Sequence, residues 1–336
     1  MKDKKITIKE IAKEAGVSIS TVSRVINSTT PVSEPLKTRV IEAIKKLGYT
    51  PDHIARGLRK GQTGVVGFVL PDISNPFFAT AARGAEDFLR CKGYVLMFCD
   101  SDQNELQETE ALKMLLSRRV DGLLFTGTGS YNKLIDQYRE RQIPVVFLDR
   151  IYNSGHNISY VVADNIGGMR KLVDYLVKTG HKRFTLLNGN KQVHTAQDRY
   201  VGFTESLESH GIKNYTVVFG EFTYESGKSM VRSLTSIPDA IVCGNDLIAY
   251  GAIEELELMG YRVPEDVSVT GFDDIPFSKH YKPPLTTVKQ PAYEMGKKAA
   301  EMLLKMMKTR KNRRGVVLET QLVVRSSTNV RRDEGK

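Results

Sequence analysis

A chain of 336 residues, 40% hydrophobic and 26% charged, is long enough for two or three domains with sizeable cores, and no run in it approaches the ~20 apolar residues of a membrane span. Its net charge of +10 is uneven: residues 1–60 hold 13 Lys and Arg against 6 Asp and Glu, +7 of the total. A basic block on a nearly neutral body points to a polyanionic partner, with a solvated charged face as the plain alternative. The charged N-terminus lacks the apolar stretch of a secretory signal. Cys91, Cys99 and Cys243 are odd in number and lack metal or redox spacing, so they are expected to be reduced thiols, core or half-buried, in a cytoplasmic protein.

Thr7-Ile8-Lys9-Glu10 has the spacing of a capping box, and Ile8, Ile11, Ala12 and Ala15 then form one apolar helical stripe. Gly16-Val17-Ser18 breaks that helix, with the glycine suited to a left-handed turn and Ser18 to capping the next. The second helix, from about Ile19 to Asn27, splits by face: Val22, Val25 and Ile26 on one side, Ser20, Ser23, Arg24 and Asn27 on the other. A third helix follows Ser33, with Leu36, Val40, Ile41, Ile44 and Leu47 expected in a small core. Two short helices around a tight glycine turn, then a third, make the helix-turn-helix layout, whose second helix enters the major groove of DNA. A small three-helix bundle with a polar surface helix is the alternative on pattern alone.

The segments TIKEIAKEAGVSISTVSRVIN and VSEPLKTRVIEAIKKLGYTPDHIARGL resemble the DNA-binding region of the LacI/GalR repressor family. The resemblance implies that Ile19, Ser20 and Arg24 face base edges, while Ser18, Thr21, Ser23 and Asn27 mainly hold phosphates. It also implies that DHIARGLRKG after Pro51 is a hinge that becomes helical on DNA. There Leu58 would wedge between base pairs beside Ala55, bending the duplex. Gly57 weakens such a helix by roughly 1 kcal/mol relative to alanine, which suits conditional folding; a plain flexible linker is the alternative.

From residue 63 short apolar runs alternate with helical stretches such as Pro76–Cys91 and Glu105–Leu116. Val65–Leu70, Val95–Cys99, Gly122–Phe125, Val145–Leu148, Tyr160–Ala163, Phe184–Asn188, Val217–Phe219, Ala240–Cys243 and Val267–Gly271 read as buried parallel strands. The strands are too many for one compact sheet, so an α/β body of two similar lobes is expected, with ligands bound beyond the strands' carboxyl ends. Catalytic motifs are missing there. Gly127-Thr128-Gly129 lacks the third glycine of a dinucleotide fingerprint, and Gly227-Lys228-Ser229 ends like a phosphate loop but has Phe222 where the first glycine belongs. No metal-spaced Cys/His set occurs.

The strand ends instead carry Asn75, Phe77, Phe78, Asp149, Arg150, Phe222, Asn245-Asp246 and Asp273-Asp274, with Arg199 expected just before a helix and Gln290 near the crossover back. Phenyl faces suit the C–H faces of a sugar ring, and Arg, Asp, Asn and Gln suit neighbouring hydroxyls. Each residue also has a structural alternative: Phe77 or Phe78 as core, Asp149-Arg150 as an ion pair, Asp246 or Asp274 as a helix cap. The pieces LPDISNPFF, VVFLDR, TAQDRYVGF, VCGNDLIAYGA, GFDDIP and PPLTTVKQPAYEMG resemble the periplasmic-binding-protein-like effector domain of the same family, most like ribose operon repressors and the ribose-binding proteins that share the fold. The resemblance implies a ribose pocket made of ten of these residues: Asn75, Phe77, Phe78, Asp149, Arg150, Arg199, Phe222, Asn245, Asp273 and Gln290.

These readings predict an all-α helix-turn-helix domain over residues 1–50, a hinge over 51–62, and a two-lobed α/β effector and dimerisation domain over 63–330. Lobe 1 would span about 63–163 and 291–318, and lobe 2 about 164–290 and 319–330. They predict a homodimeric repressor that is no enzyme and needs no cofactor or metal. It would bind a pseudo-palindromic operator in double-stranded DNA and be released by a small sugar, D-ribose, with no membrane partner. Sugar is expected to close the lobes and separate the hinges. The alternatives are a regulator of the same family answering to another sugar, to a purine-like corepressor or to a phosphoprotein. A transport binding protein and a sugar-modifying enzyme are opposed by the N-terminal segment and the missing catalytic motifs.

Overall fold

The computed structural model describes residues 6–27, 30–49, 62–152, 158–311 and 315–331, and the chain divides into two compact units, Met1–Thr63 and Gly64–Lys336. Ala55, Gly57 and Leu58 of the expected hinge lie outside the described residues.

The described residues of the first unit form three helices, α1 (Ile8–Ala15), α2 (Ile19–Asn27) and α3 (Glu34–Leu47). The Glu10 carboxylate accepts the Thr7 backbone N–H at 2.7 Å, fixing the start of α1. Gly16 ends it at φ 60°, and the Val17 N–H returns to the Ala12 carbonyl at 3.0 Å. A side chain at Gly16 would also collide with the Arg39 guanidinium, which donates to the Gly16 carbonyl at 3.1 Å. Ile11, Ala12, Ala15, Val22, Val40 and Ala43 form the core, with Ile8, Val25, Ile26, Ile44 and Leu47 packed against it. Two expected core residues differ. Ile41 is 39% exposed, because Val40, Ala43, Ile44 and Leu47 complete the inward stripe and Ile41 lies about 100° round the helix from Val40. Leu36 is only half-buried.

Among its described residues the second unit holds two six-stranded sheets. In the first, the order β11-β5-β4-β3-β1-β2 joins β1 (Val65–Leu70), β2 (Val95–Asp100), β3 (Gly122–Phe125), β4 (Val145–Leu148), β5 (Ser159–Ala163) and β11 (Val316–Leu318). The second, β12-β10-β9-β8-β6-β7, joins β6 (Phe184–Asn188), β7 (Tyr215–Phe219), β8 (Ala240–Cys243), β9 (Ser268–Asp273), β10 (Thr286–Lys289) and β12 (Gln321–Val323). All pairings are parallel except β10 with β12. Parallel strands need helical crossovers that cover the faces, and these are α4 (Pro76–Cys91), α5 (Glu105–Ser117), α6 (Leu134–Glu140), α7 (Asn165–Lys178), α8 (His194–Ser209), α9 (Tyr224–Arg232), α10 (Asp246–Leu258) and α11 (Ala292–Thr309).

The chain passes from the first sheet to the second after β5, returns through α11 to β11, and crosses once more to β12. Helices α4 and α11 cross backbone to backbone: a Cβ on Gly84 would meet the Tyr293 carbonyl, and one on Gly296 the Ala81 carbonyl. Cys243 is buried and Cys99 half-buried, but Cys91 is exposed. It is the last residue of α4, among the exposed residues 90–93 at the helix's C-terminal end. Among the described residues no helix is long and apolar enough to cross a membrane.

Candidate functional site

Asn75, Phe77, Phe78, Asp149, Arg150, Arg199, Phe222, Asn245, Asp273 and Gln290 all line one cavity between the two sheets' carboxyl ends, together with Thr195. The local sequence explains each placement. Asn75 caps α4 by accepting the Phe77 N–H at 3.0 Å, and Pro76 at the first helical position sets the turn. That places Phe77 and Phe78, edge to face at 5.1 Å, at the start of the helix. Asn245 does the same for α10, accepting the Ile248 N–H at 2.9 Å while its amide donates to the Phe222 carbonyl at 3.2 Å. Asp149 directly follows β4 and Asp273 ends β9, at φ 64° and 121°, conformations that cost an L-residue about 1–3 kcal/mol and collect at functional sites.

Two arginines organise the cavity. Arg199, 3% exposed, donates to Asn165 Oδ1 at 2.9 Å and to the Gly244 carbonyl at 2.6 Å. It lies over the Phe272 ring at 4.1 Å and 3.8 Å from Asp273 Oδ1. Arg150 donates to the Gly127 carbonyl at 2.9 Å, stands 3.9 Å from Asp149 Oδ2, and faces the Phe78 and Phe222 rings at 5.7 and 5.9 Å. Burial pushes the Asp149 and Asp273 carboxyls up, and Arg199 opposes that in both. Burial also lowers Arg199 from its ordinary value, countered by the same two carboxylates. Gln290 donates to Asp273 Oδ1 at 2.6 Å.

Asp149 Oδ1, Arg150 Nε and Gln290 Oε1 are buried with no hydrogen-bond partner among the described residues. Each such atom costs about 1–3 kcal/mol, so the wall is unusually ready to accept and donate to hydroxyls. The cavity measures about 20 Å³, room for roughly one water-sized sphere. Anything larger enters only if the lobes part or the arginines swing.

Thr195 was not among the expected residues. It stands four residues before Arg199 on α8, on the same helix face, a spacing that would have revealed it. Two expected alternatives are corrected. Asp246 caps no helix; it accepts from the Ile275 N–H at 2.9 Å, Ser278 Oγ at 2.5 Å and Thr287 Oγ1 at 2.6 Å, tying the segment after β9 to β10. Its burial raises the carboxyl to about 6 against those donors. Asp274 also caps no helix but pairs with Arg325 at 2.6 Å. No group of His, Cys, Asp and Glu among the described residues could hold a metal ion.

On α2 the Ser18 hydroxyl accepts the Thr21 N–H at 3.1 Å and meets Ser20 and Thr21 hydroxyls at 2.7 and 2.9 Å. Ser18, Ile19, Ser20 and Arg24 are exposed, Thr21 and Ser23 half-buried, and Asn27 is the last residue of the helix. Ile19 is 49% exposed, an apolar side chain in the open between the exposed Ser18 and Ser20 in sequence.

Comparison with known proteins accounts for both regions. Residues 7–52 match the family described as bacterial regulatory proteins, lacI family, and residues 173–328 match a periplasmic binding protein-like domain. The chain is 39% identical to the ribose operon repressor of Bacillus subtilis strain 168 over 90% of this chain and 92% of that one. The Lac repressor dimer bound to operator and the anti-inducer ONPF superposes with TM-score 0.87 at 26% identity, over 97% of this chain and 100% of that one. A LacI family transcriptional regulator from Enterococcus faecium with bound ribose gives TM-score 0.73 at 28% identity, over 80% of this chain and all of that one. A helix-turn-helix unit joined to a two-lobed α/β body, with identity of this extent along nearly the whole chain, makes this protein a DNA-binding transcriptional repressor of the LacI family and not an enzyme.

Proposed function

We propose that this repressor is released from a pseudo-palindromic operator by D-ribose bound in the cavity between its lobes. The observation that carries the reading is the convergence of Asn75, Phe77, Phe78, Asp149, Arg150, Arg199, Phe222, Asn245, Asp273 and Gln290, from separate strands, loops and helices, on one cavity with unsatisfied polar atoms in its wall. Phe78 and Phe222 offer faces for a sugar ring, while the arginines and carboxylates offer the paired donors and acceptors that adjacent hydroxyls require. The ribose operon repressor relative and the ribose-bound regulator support the choice of pentose. A rigid site with polar atoms left over discriminates sharply, since a sugar lacking a matching hydroxyl leaves them unpaired.

At the other end of the chain, Ile19, Ser20 and Arg24 read base edges, and Ser18, Thr21, Ser23 and Asn27 hold phosphates. Residues 1–50 form the DNA-binding domain, 51–62 the hinge carrying Ala55 and Leu58, and 63–330 the effector domain. Two copies bind together, because a two-fold protein matches a two-fold site. The coupling is reciprocal: if sugar weakens operator binding by some factor, operator weakens sugar binding by the same factor.

Fluorescence anisotropy with a labelled pseudo-palindromic operator at fixed salt, with and without excess D-ribose, tests the reading. Operator binding weakened by D-ribose and untouched by glucose or hypoxanthine is the expected result. Tight binding indifferent to D-ribose would remove the ligand from the proposal and leave the repressor.

A further inference from the structure

A buried carboxylate behind the cavity belongs to neither region described above. Glu108, on α5, is 1% exposed, and no cation stands within ion-pair distance of it among the described residues. Its Oε2 accepts the Thr128 N–H at 2.7 Å and its Oε1 the Asn132 amide at 3.0 Å. Asn132 also donates to Thr109 Oγ1 at 3.0 Å and accepts the Leu134 N–H at 3.1 Å, where α6 begins. The loop between β3 and α6 is thus clamped to α5 from behind.

Its front is held by the cavity. Arg150 donates to the Gly127 carbonyl at 2.9 Å, and the Tyr152 hydroxyl occupies the place where a Cβ on Gly127 would stand. The Gly127 carbonyl and the Thr128 N–H are the two ends of one peptide group. That group is planar, and in the trans form its oxygen and hydrogen point in opposite directions. Arg150 therefore grips one side of a rigid plate whose other side Glu108 grips, and the guanidinium and carboxylate polarise the peptide in the same sense. Burial pushes the Glu108 carboxyl up and its amide donors oppose this. A carboxylate buried without a cation is costly to keep, and the peptide it orients is held on its other side by Arg150, which lines the cavity.

We propose that Glu108 is a positioning residue for effector binding: it fixes the plane of the Gly127–Thr128 peptide, and through the Gly127 carbonyl it fixes Arg150. The proposal rests on the effector reading of the cavity, and the experiment separates the two. Glu108→Gln replaces one of two acceptors with a donor, so one anchor of the loop is lost. Calorimetry with D-ribose is expected to show about ten-fold weaker binding, with sugar-free operator affinity unchanged. Hydrogen exchange of the 127–132 peptide should rise. Asn132→Ala, which leaves Glu108 and the Thr128 contact in place, should weaken binding about three-fold and provides the reading should Glu108→Gln fold poorly.

A role through Arg150 also predicts non-additivity: in an Arg150→Lys background Glu108→Gln should weaken D-ribose binding little further. Native D-ribose affinity in Glu108→Gln, or a full additive loss in the double variant, overturns the proposal. If D-ribose fails to bind the unaltered protein, the sugar reading falls alone, and exchange at 127–132 still decides. Faster exchange in both Glu108→Gln and Arg150→Lys supports the positioning role; native exchange in Glu108→Gln overturns it.

Discussion

The polar face of α2 and the wall of the effector cavity use similar residue types under opposite physical conditions. On α2, Arg24 and the hydroxyls of Ser18 and Ser20 stand in water, and folding depends on the other face, where Val22 packs with Ile11 and Val40. In the cavity Arg150, Arg199, Asp149 and Asp273 are buried and hold one another, with the Phe272 ring, the Gly244 carbonyl and Asn165 completing the Arg199 environment. A surface that reads a polyanion can let water carry its charges until the ligand arrives. A cavity for a neutral polyol must balance desolvated charges by itself, so its recognition residues are also structural ones.

The sharpest way to break this contrast is Arg199→Ala. Removing one member of a buried charge cluster leaves Asp273 without its cation and Asp149 with Arg150 alone, at a cost of about 3–5 kcal/mol. Urea unfolding should show that loss, and calorimetry should show D-ribose binding abolished, with operator affinity retained where the protein remains folded. An unchanged unfolding midpoint would mean the cavity tolerates loss of its arginine as a surface would. Ile11→Ala should cost about 2–5 kcal/mol within the first unit alone, because Ile11 is fully buried in a core of few residues. Operator binding should fall with it and D-ribose affinity should not; equal loss of both would show that the units are not independent. Arg24→Ala should weaken operator binding by about 1–3 kcal/mol with no change in melting temperature. A clear drop in melting temperature would place Arg24 in the fold and erase the distinction.

The same contrast explains how far the sequence can be read. Helix starts and strands depend on local chemistry, so Thr7-x-x-Glu10, Gly16 and the apolar runs from Val65 to Leu148 place their elements within a residue or two. The candidates at strand ends were legible because parallel sheets put every strand's carboxyl end on one edge, but only the family resemblance separated Asp273 from Asp246 and Asp274, and Arg199, expected before a helix, lies inside α8. What could not be read depends on partners distant in the chain. Ile41 is as apolar as Val40, and only the packing of α3 on α1 decides which one faces inward. Asp246 looked like a cap because nothing near it announces Ser278 or Thr287. Glu108 sits in an ordinary charged helix, and its burial follows from where the Thr128 loop folds back. β11 and β12 carry three residues each, too few to show a period, and β10, Thr-Thr-Val-Lys, lacks an apolar run.

The smallest predicted effect tests whether burial also governs titration away from either site. His181 is buried in the second lobe, with Nδ1 at 2.9 Å from the Leu176 carbonyl and Nε2 at 2.8 Å from Ser268 Oγ. A carbonyl can only accept, so Nδ1 carries the proton and Nε2 accepts from the serine hydroxyl. Burial lowers the imidazole's pKa, and Arg331 lowers it further while Asp239 opposes. A histidine whose folded pKa lies below its unfolded value of about 6.5 favours the fold when neutral. Its contribution is complete above pH ~6.5 and declines as pH falls through the folded pKa, because the unfolded chain binds the proton more readily. Unfolding free energy measured from pH 7.5 to 5 should therefore fall more steeply for the unaltered protein than for His181→Gln, which has no proton to take up and can still donate to Leu176. Parallel slopes for the two proteins would mean that the cavity's buried charges, and not burial in general, set how this lobe responds to acid.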